Sequence, residues 1–200
     1  MRSSRLRLGA ALLVTLASLV ACRTVPPSSP IGASWEVRRP RLQARTHFEL
    51  KGRVAVAAGG EGFNADLHWI QDGPRSQVTL AGPLGVGGAE ITASGNDLTL
   101  VTSRGEHVDS DAAHAALAAR LGFDPPLSSL RYWILGVPDP AQPAITELDV
   151  SQQRLTGLTQ AGWRVDYADY VTTGGGTLPA RLTLQRDNVR VRVLIDNWQS

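Results

Sequence analysis

The side chain best placed to do chemistry is a single thiol. Cys22 is the only cysteine among 200 residues, and it follows Leu19-Val20-Ala21. A thiol is nucleophilic enough to form a stable thioether, and small residues ahead of it suit a signal peptidase. The pattern has the form of a lipobox, where the sulfur takes a diacylglycerol and the chain is cut before the cysteine. The upstream residues agree. Arg2, Arg5 and Arg7 make a basic head, and Leu8 to Leu19 is an apolar run too short to span a bilayer comfortably. Residues 1–21 are therefore expected to be a signal peptide, and Cys22 to be the point of lipid attachment. With one cysteine no intramolecular disulfide can form, so an exported domain depends on its core.

Other reactive side chains form no constellation. His47, His68, His107 and His114 lack metal-ligand spacing, and G-x-S-x-G, P-loop and H-E-x-x-H motifs are absent. Gly174-Gly175-Gly176 has no following Lys and helix, and reads as a hairpin connection. Asp66 and His68 fall on the wet face of one strand, where a solvated pair is expected. The sequence offers no catalytic residue, no metal site and no cofactor site, and an enzyme is not expected.

Charge excludes another class. The whole chain carries a formal +2, but Arg2, Arg5 and Arg7 leave with the signal peptide. That leaves 17 basic against 18 acidic residues, a mature charge of −1. Such a chain has no electrostatic footprint for nucleic acid. By total charge, its hold on a membrane comes from lipid or apolar contact rather than a polybasic patch.

The elements that position these residues are mostly strands. Residues 22–34 comprise the cysteine and RTVPPSSPIGAS, a Pro/Ser-rich stretch read as an extended tether, and 35–200 read as one domain. Trp35 to Arg45 suggests a short helix that Pro40 would start or break. Phe48, Leu50, Val54 and Val56 then share one face, as do Phe63, Ala65, Leu67 and Trp69. Strict alternation of this kind marks antiparallel strands with one apolar face. Gly59-Gly60, Asp72-Gly73-Pro74, Gly95-Asn96-Asp97 and Arg104-Gly105 supply the turns. Strands are expected again at 77–81, 89–93, 98–102, 154–159, 163–170, 179–185 and 189–198. Between them, AAHAALAARLG reads as a helix led by Asp109 and Asp111 and ended by Gly122. LSSLRYWILG reads as a second, with Leu127, Leu130, Trp133, Ile134 and Val137 on one face. The count is roughly ten strands with two or three helices.

Several segments resemble a known family. LRYWILGVPDP (Leu130 to Pro140), GWRVDYADY (Gly162 to Tyr170), LPARLTL (Leu178 to Leu184), VRVRVLIDNW (Val189 to Trp198) and AGPLG (Ala81 to Gly85), together with the lipobox, are similar to the LolB family. Its members are outer-membrane receptors that take lipoproteins from the periplasmic carrier LolA. The resemblance covers nearly all of the mature chain. It implies a mainly β fold (α+β): an incompletely closed antiparallel barrel with a lid of short helices over an apolar cavity.

It also implies roles for residues. Phe48, Val54, Val56, Phe63, Leu67, Trp69, Val78, Leu80, Ile91, Leu98 and Leu100 face one way; they are core first, and a part of them is expected to line an acyl-chain cavity. Leu130, Trp133 and Ile134 are lid candidates or plain helix-to-sheet packing. Pro83, Leu84 and Gly85 match the family's protruding loop, with Leu84 as its apolar tip. Leu84 either folds back onto the barrel or touches the membrane, and the resemblance favours the second. Arg23 is not the Asp that favours inner-membrane retention in enteric bacteria. The implied partners are a LolA-like carrier, the acyl chains of lipoproteins and outer-membrane lipid, met by a monomer. The competing expectations are a lipid-binding or sensing lipoprotein without transfer, and a structural envelope lipoprotein.

Overall fold

The computed structural model of the protein describes residues 34–83 and 88–199. Cys22, the tether to position 33, Leu84 and Gly85 lie outside the described residues. Among those described, three helices and eleven strands follow in the order α1 (Trp35–Gln43), β1 (His47–Ala58), β2 (Glu61–Asp72), β3 (Arg75–Ala81), β4 (Ala89–Ser94), β5 (Asp97–Thr102), β6 (His107–Asp109), α2 (Ser110–Leu121), α3 (Leu127–Trp133), β7 (Ala144–Asp149), β8 (Arg154–Gln160), β9 (Trp163–Thr173), β10 (Gly176–Arg186) and β11 (Val189–Gln199).

The strands form one antiparallel sheet in the order β6-β5-β4-β3-β2-β1-β11-β10-β9-β8-β7. Every neighbour is joined by a short hairpin or loop except one pair, β1 and β11, the first and last strands. That seam needs a glycine. A Cβ at Gly52 would fall on the carbonyl oxygen of Leu194, where the register shifts between Lys51 and Gly52. β6 and β7 remain as unjoined edges, so the barrel is incompletely closed.

Antiparallel pairing gives the sheet two ends. The start of β1 shares one end with the turns β2–β3, β4–β5, β7–β8 and β9–β10. The opposite end holds the turns β1–β2, β8–β9 and β10–β11, and the β3–β4 connection that Gly82, Pro83 and Gly88 flank. α1, which leads into β1, and the described flanks of the β3–β4 connection, Pro83 and Gly88, are thus at opposite ends.

The alternation read from sequence corresponds to the inward face. Phe48, Leu50, Val54, Val56, Ala65, Leu67 and Trp69 are buried, and Phe63 is half-buried. α1 differs from the expectation in running through Pro40. Proline forfeits one hydrogen bond in the helix interior. The helix is held by burial of Trp35 and Leu42 and by the Ala44 N–H donating to the Pro40 carbonyl at 2.9 Å. α2 ends at Gly122 as expected, in the left-handed conformation (φ 77°) that only glycine adopts readily. α3 is shorter than the helical pattern suggested, because Ile134 to Gly136 continue as turn.

Candidate functional site

Inward side chains from β1–β4 and β9–β11 meet α2 and α3 around an apolar cavity of about 120 Å³. Of the eleven cavity candidates, Val54, Val56, Phe63, Leu67, Trp69, Val78, Leu80 and Ile91 line it. Phe48, Leu98 and Leu100 are buried but are not among the lining residues. Phe48 packs against Trp69 and Trp198, each with ring centroids 5.8 Å away, near the end where β1 starts. Leu98 and Leu100 belong to a smaller cluster with Ala113 and Leu117 beneath α2. Of the lid candidates, Leu130 and Ile134 reach the cavity, whereas Trp133 is wholly buried beside it.

The sequence reading did not single out the far wall. Trp163 from β9, Leu182 and Leu184 from β10, and Val191 and Val193 from β11 complete the lining. Their alternation marked strands, but only the β1–β11 seam brings them opposite Val54 and Val56.

A second hollow, of about 290 Å³, shares Phe63, Leu80, Ile91, Leu117 and Leu121 with the first and extends to Gly82 and Pro83. The two hollows therefore adjoin, and a mainly apolar lining leads from the cavity to Gly82 and Pro83 at the base of the β3–β4 connection. Arg120 and Asn64 are the polar groups along this second stretch.

The two helices over the cavity are held differently. α3 is fixed by a buried polar network that the sequence reading missed. The Gln160 amide oxygen accepts from Trp133 Nε1 at 2.8 Å and from the Asp139 N–H at 2.9 Å. Its amide nitrogen donates to the carbonyls of Asp139 and Gln142, both at 2.8 Å. Ser129 Oγ donates to the Asp139 carboxylate at 2.8 Å, and the Tyr167 hydroxyl to the Trp133 carbonyl at 3.0 Å. Burial pushes the Tyr167 hydroxyl pKa well up, which keeps it a donor. The LRYWILGVPDP segment is thus fastened to β8 and β9. Among the described residues α2 carries no such network; it rests on Ala113 and Leu117.

Two buried indole N–H groups of the lining residues, on Trp69 and Trp163, have no hydrogen-bond acceptor among the described residues. An orphaned buried donor costs about 1–3 kcal/mol, so each is a place where a ligand carbonyl would be welcome. Among the described residues no group of three side chains is arranged to hold a metal, and no helix is long and apolar enough to cross a membrane.

Residues 46–198 match the family model described as outer membrane lipoprotein LolB. The chain belongs to the LolB family. Among its relatives, the outer-membrane lipoprotein LolB of Alkalilimnicola ehrlichii is 36% identical, covering 96% of this chain and 98% of that protein. The LolB of Nitrosococcus oceani is 34% identical, covering 94% and 93%. A solved LolA superfamily protein from Nitrosomonas europaea shares the fold at 10% identity, with a TM-score of 0.53 over 84% of this chain and 94% of that one. LolB-family membership places the protein among the lipid-anchored lipoproteins of the outer membrane and in lipoprotein trafficking.

Proposed function

We propose that this LolB-family protein accepts lipoproteins from a LolA-type periplasmic carrier and passes them into the outer membrane, shielding their acyl chains in the cavity. The observation that carries the reading is the apolar track from cavity to Pro83. A protein that only sensed or stored lipid would need a cavity but no greasy path leading from it to a loop. A structural lipoprotein would need neither.

The energetics explain the design. A triacylated anchor exposes about three chains, and each methylene kept from water is worth roughly 0.8 kcal/mol. Moving such an anchor through water would cost tens of kcal/mol. Aliphatic and aromatic walls cover the chains without reading their chemistry. The chain has no nucleotide motif, so transfer runs downhill through differences in affinity. The cavity is complete within one copy, which is consistent with action as a monomer.

At about 120 Å³ the cavity is well under the ~300–1,000 Å³ of pockets that enclose a drug-sized ligand. Admitting acyl chains requires α2 to part from the sheet. α3 stays, pinned through Gln160, while the Gly122 to Pro126 connection takes up the movement. Cys22 supplies the lipid anchor, and Leu84, which follows Pro83 in the sequence, touches the bilayer during delivery. Leu84 can reach it although the anchor joins the other end of the sheet. β1 spans 12 residues, or about 40 Å at ~3.3 Å per residue. Trp35 lies 13 residues beyond Cys22, a reach of at most about 43–47 Å. The tether is long enough for the domain to lean over.

The test is binding of an apolar fluorescent probe, displaced by the acyl chains of a lipoprotein. Phe63 is half-buried where cavity and track meet. Phe63→Glu should leave the circular dichroism spectrum unchanged and weaken probe binding at least tenfold, because a carboxylate on an apolar path is costly to desolvate. A folded wild type that binds no probe would favour the structural-lipoprotein reading.

A further inference from the structure

The end of the sheet that receives the N-terminal chain has a surface that transfer does not use. α1 and the residues after it read WEVRRPRLQAR, with four arginines against Glu36 alone. Glu36 is taken by Arg39 at 3.3 Å. Among the described residues, Arg38, Arg41 and Arg45 have no carboxylate partner, and neither does Arg154 at the start of β8. The Arg154 guanidinium lies 4.8 Å above the Tyr170 ring and faces Arg38. Arg45 Nη2 donates to the Gly175 carbonyl at 2.6 Å. Arg38 and Arg45 are half-buried, and Arg45 Nη1 and Arg38 Nε are buried atoms with no acceptor among the described residues, so Arg41 is the exposed guanidinium of this group. The nearby acid, Asp149, caps its own turn, accepting from Ser151 Oγ at 2.6 Å and from the Ser151 N–H at 3.0 Å, and it offsets part of the Arg154 charge without a direct ion pair.

Large apolar side chains stand in the open beside these arginines. Val150, in the β7–β8 turn, is 77% exposed, and Val37 on α1 44%. The Trp35 N–H donates to Gln153 Oε1 at 3.1 Å and so ties α1 to that same turn. Unpaired guanidinium groups next to exposed aliphatic side chains are the composition of an interfacial membrane contact. Chain length identifies the occupant. Trp35 is 13 residues from Cys22, so a bilayer holding the lipid lies at most about 43–47 Å away.

We propose that α1 and the β7–β8 turn dock on an anionic phospholipid surface, giving the tethered domain a resting orientation. The proposal rests on the reading of Cys22 as the lipid-bearing residue. The total charge conceals this surface, because acidic residues elsewhere balance an arginine cluster confined to one end. Docked this way, the opposite end, with Pro83 and the track, points away from the bilayer and towards an incoming carrier. Delivery then requires release from the docked state, so the contact must be weak and reversible. Attraction of each arginine to an anionic surface is screened within a Debye length.

The experiment uses the lipidated full-length protein in phosphatidylcholine vesicles, with or without about a third phosphatidylglycerol. An environment-sensitive fluorophore is placed on Val150→Cys, and brominated lipids serve as quenchers. A matching probe on Asn188→Cys, in the β10–β11 turn, reports the opposite end. The Val150 probe should be quenched several-fold more in anionic than in neutral vesicles, and high salt should reverse this. Arg41→Gln, at an exposed position, should lower the docking equilibrium about fivefold, the equivalent of ~1 kcal/mol per arginine. Equal quenching in both vesicles, or preferential quenching at Asn188, overturns the proposal. Quenching that depends on protein density in both compositions would make this edge a contact between copies, and also overturns it. Flotation reads the anchor separately. Wild type that fails to float overturns the lipidation reading and this proposal with it, whereas floating protein with an unquenched Val150 probe overturns the docking alone.

Discussion

Gln160→Leu should loosen the fixed helix over the cavity, and its cost follows from the hydrogen bonds counted at that one side chain. Gln160 is 2% exposed, and all its amide valences are used by Trp133, Asp139 and Gln142. Leucine is similar in volume, so little cavity is created. Of the four hydrogen bonds lost, two leave buried donors, Trp133 Nε1–H and the Asp139 N–H, with no acceptor, and two leave the carbonyls of Asp139 and Gln142 short of a donor; the orphaned donors dominate the cost. At roughly 1–3 kcal/mol for each orphaned donor, the loss is about 2–6 kcal/mol. For a domain of this size each kcal/mol lowers Tm by roughly 2–4 °C. Urea and thermal unfolding followed by circular dichroism would measure it. Tryptophan fluorescence should shift as well, since Trp133 loses its partner and lies 6.5 Å from the Trp163 ring. A loss below about 1 kcal/mol would refute the idea that this network pins α3, and the division into a fixed α3 and a moving α2 would go with it.

Two further outcomes are expected. Growth with a labelled fatty acid should label the protein, and Cys22→Ala should abolish the label; persistent labelling would remove Cys22 as the anchor. Leu84→Glu should leave Tm and uptake of cargo nearly unchanged while release into liposomes falls sharply, and Leu84→Phe should retain most delivery. A single inserted leucine is worth only about 1.5–3 kcal/mol, enough for a transient touch, so failed uptake instead would assign Leu84 to the carrier contact.

How much of this was legible in the sequence depended on how local the signal was. The inward face of β1 and β2 is written in period-two alternation, and Gly122 marks the end of α2. β7 went unread because Ala144 to Thr146 and their neighbours lie on an exposed edge, where no core imposes a pattern. β6 is three residues long, too short for any period. Parity assigns a residue to a face but not to a depth along the strand. Leu98 and Leu100 therefore looked equivalent to Val54 and Val56, although they pack under α2 outside the cavity lining. The far wall depended on pairing β1 with β11, across almost the whole chain. Gln160 did leave a trace, a polar residue at an inward position of β8, but its partners Trp133 and Asp139 lie on another element. The arginines of α1 were visible, yet summing charge over the chain hid their segregation.

The most direct test of the central claim is transfer itself. A LolA-type carrier loaded with a lipoprotein is mixed with the wild-type protein in liposomes, without nucleotide, and the location of the cargo is followed by flotation. The account predicts that cargo leaves the carrier and floats with the liposomes, and that liposomes lacking the protein receive little. Cargo that stays on the carrier, or that reaches protein-free liposomes equally fast, would contradict it.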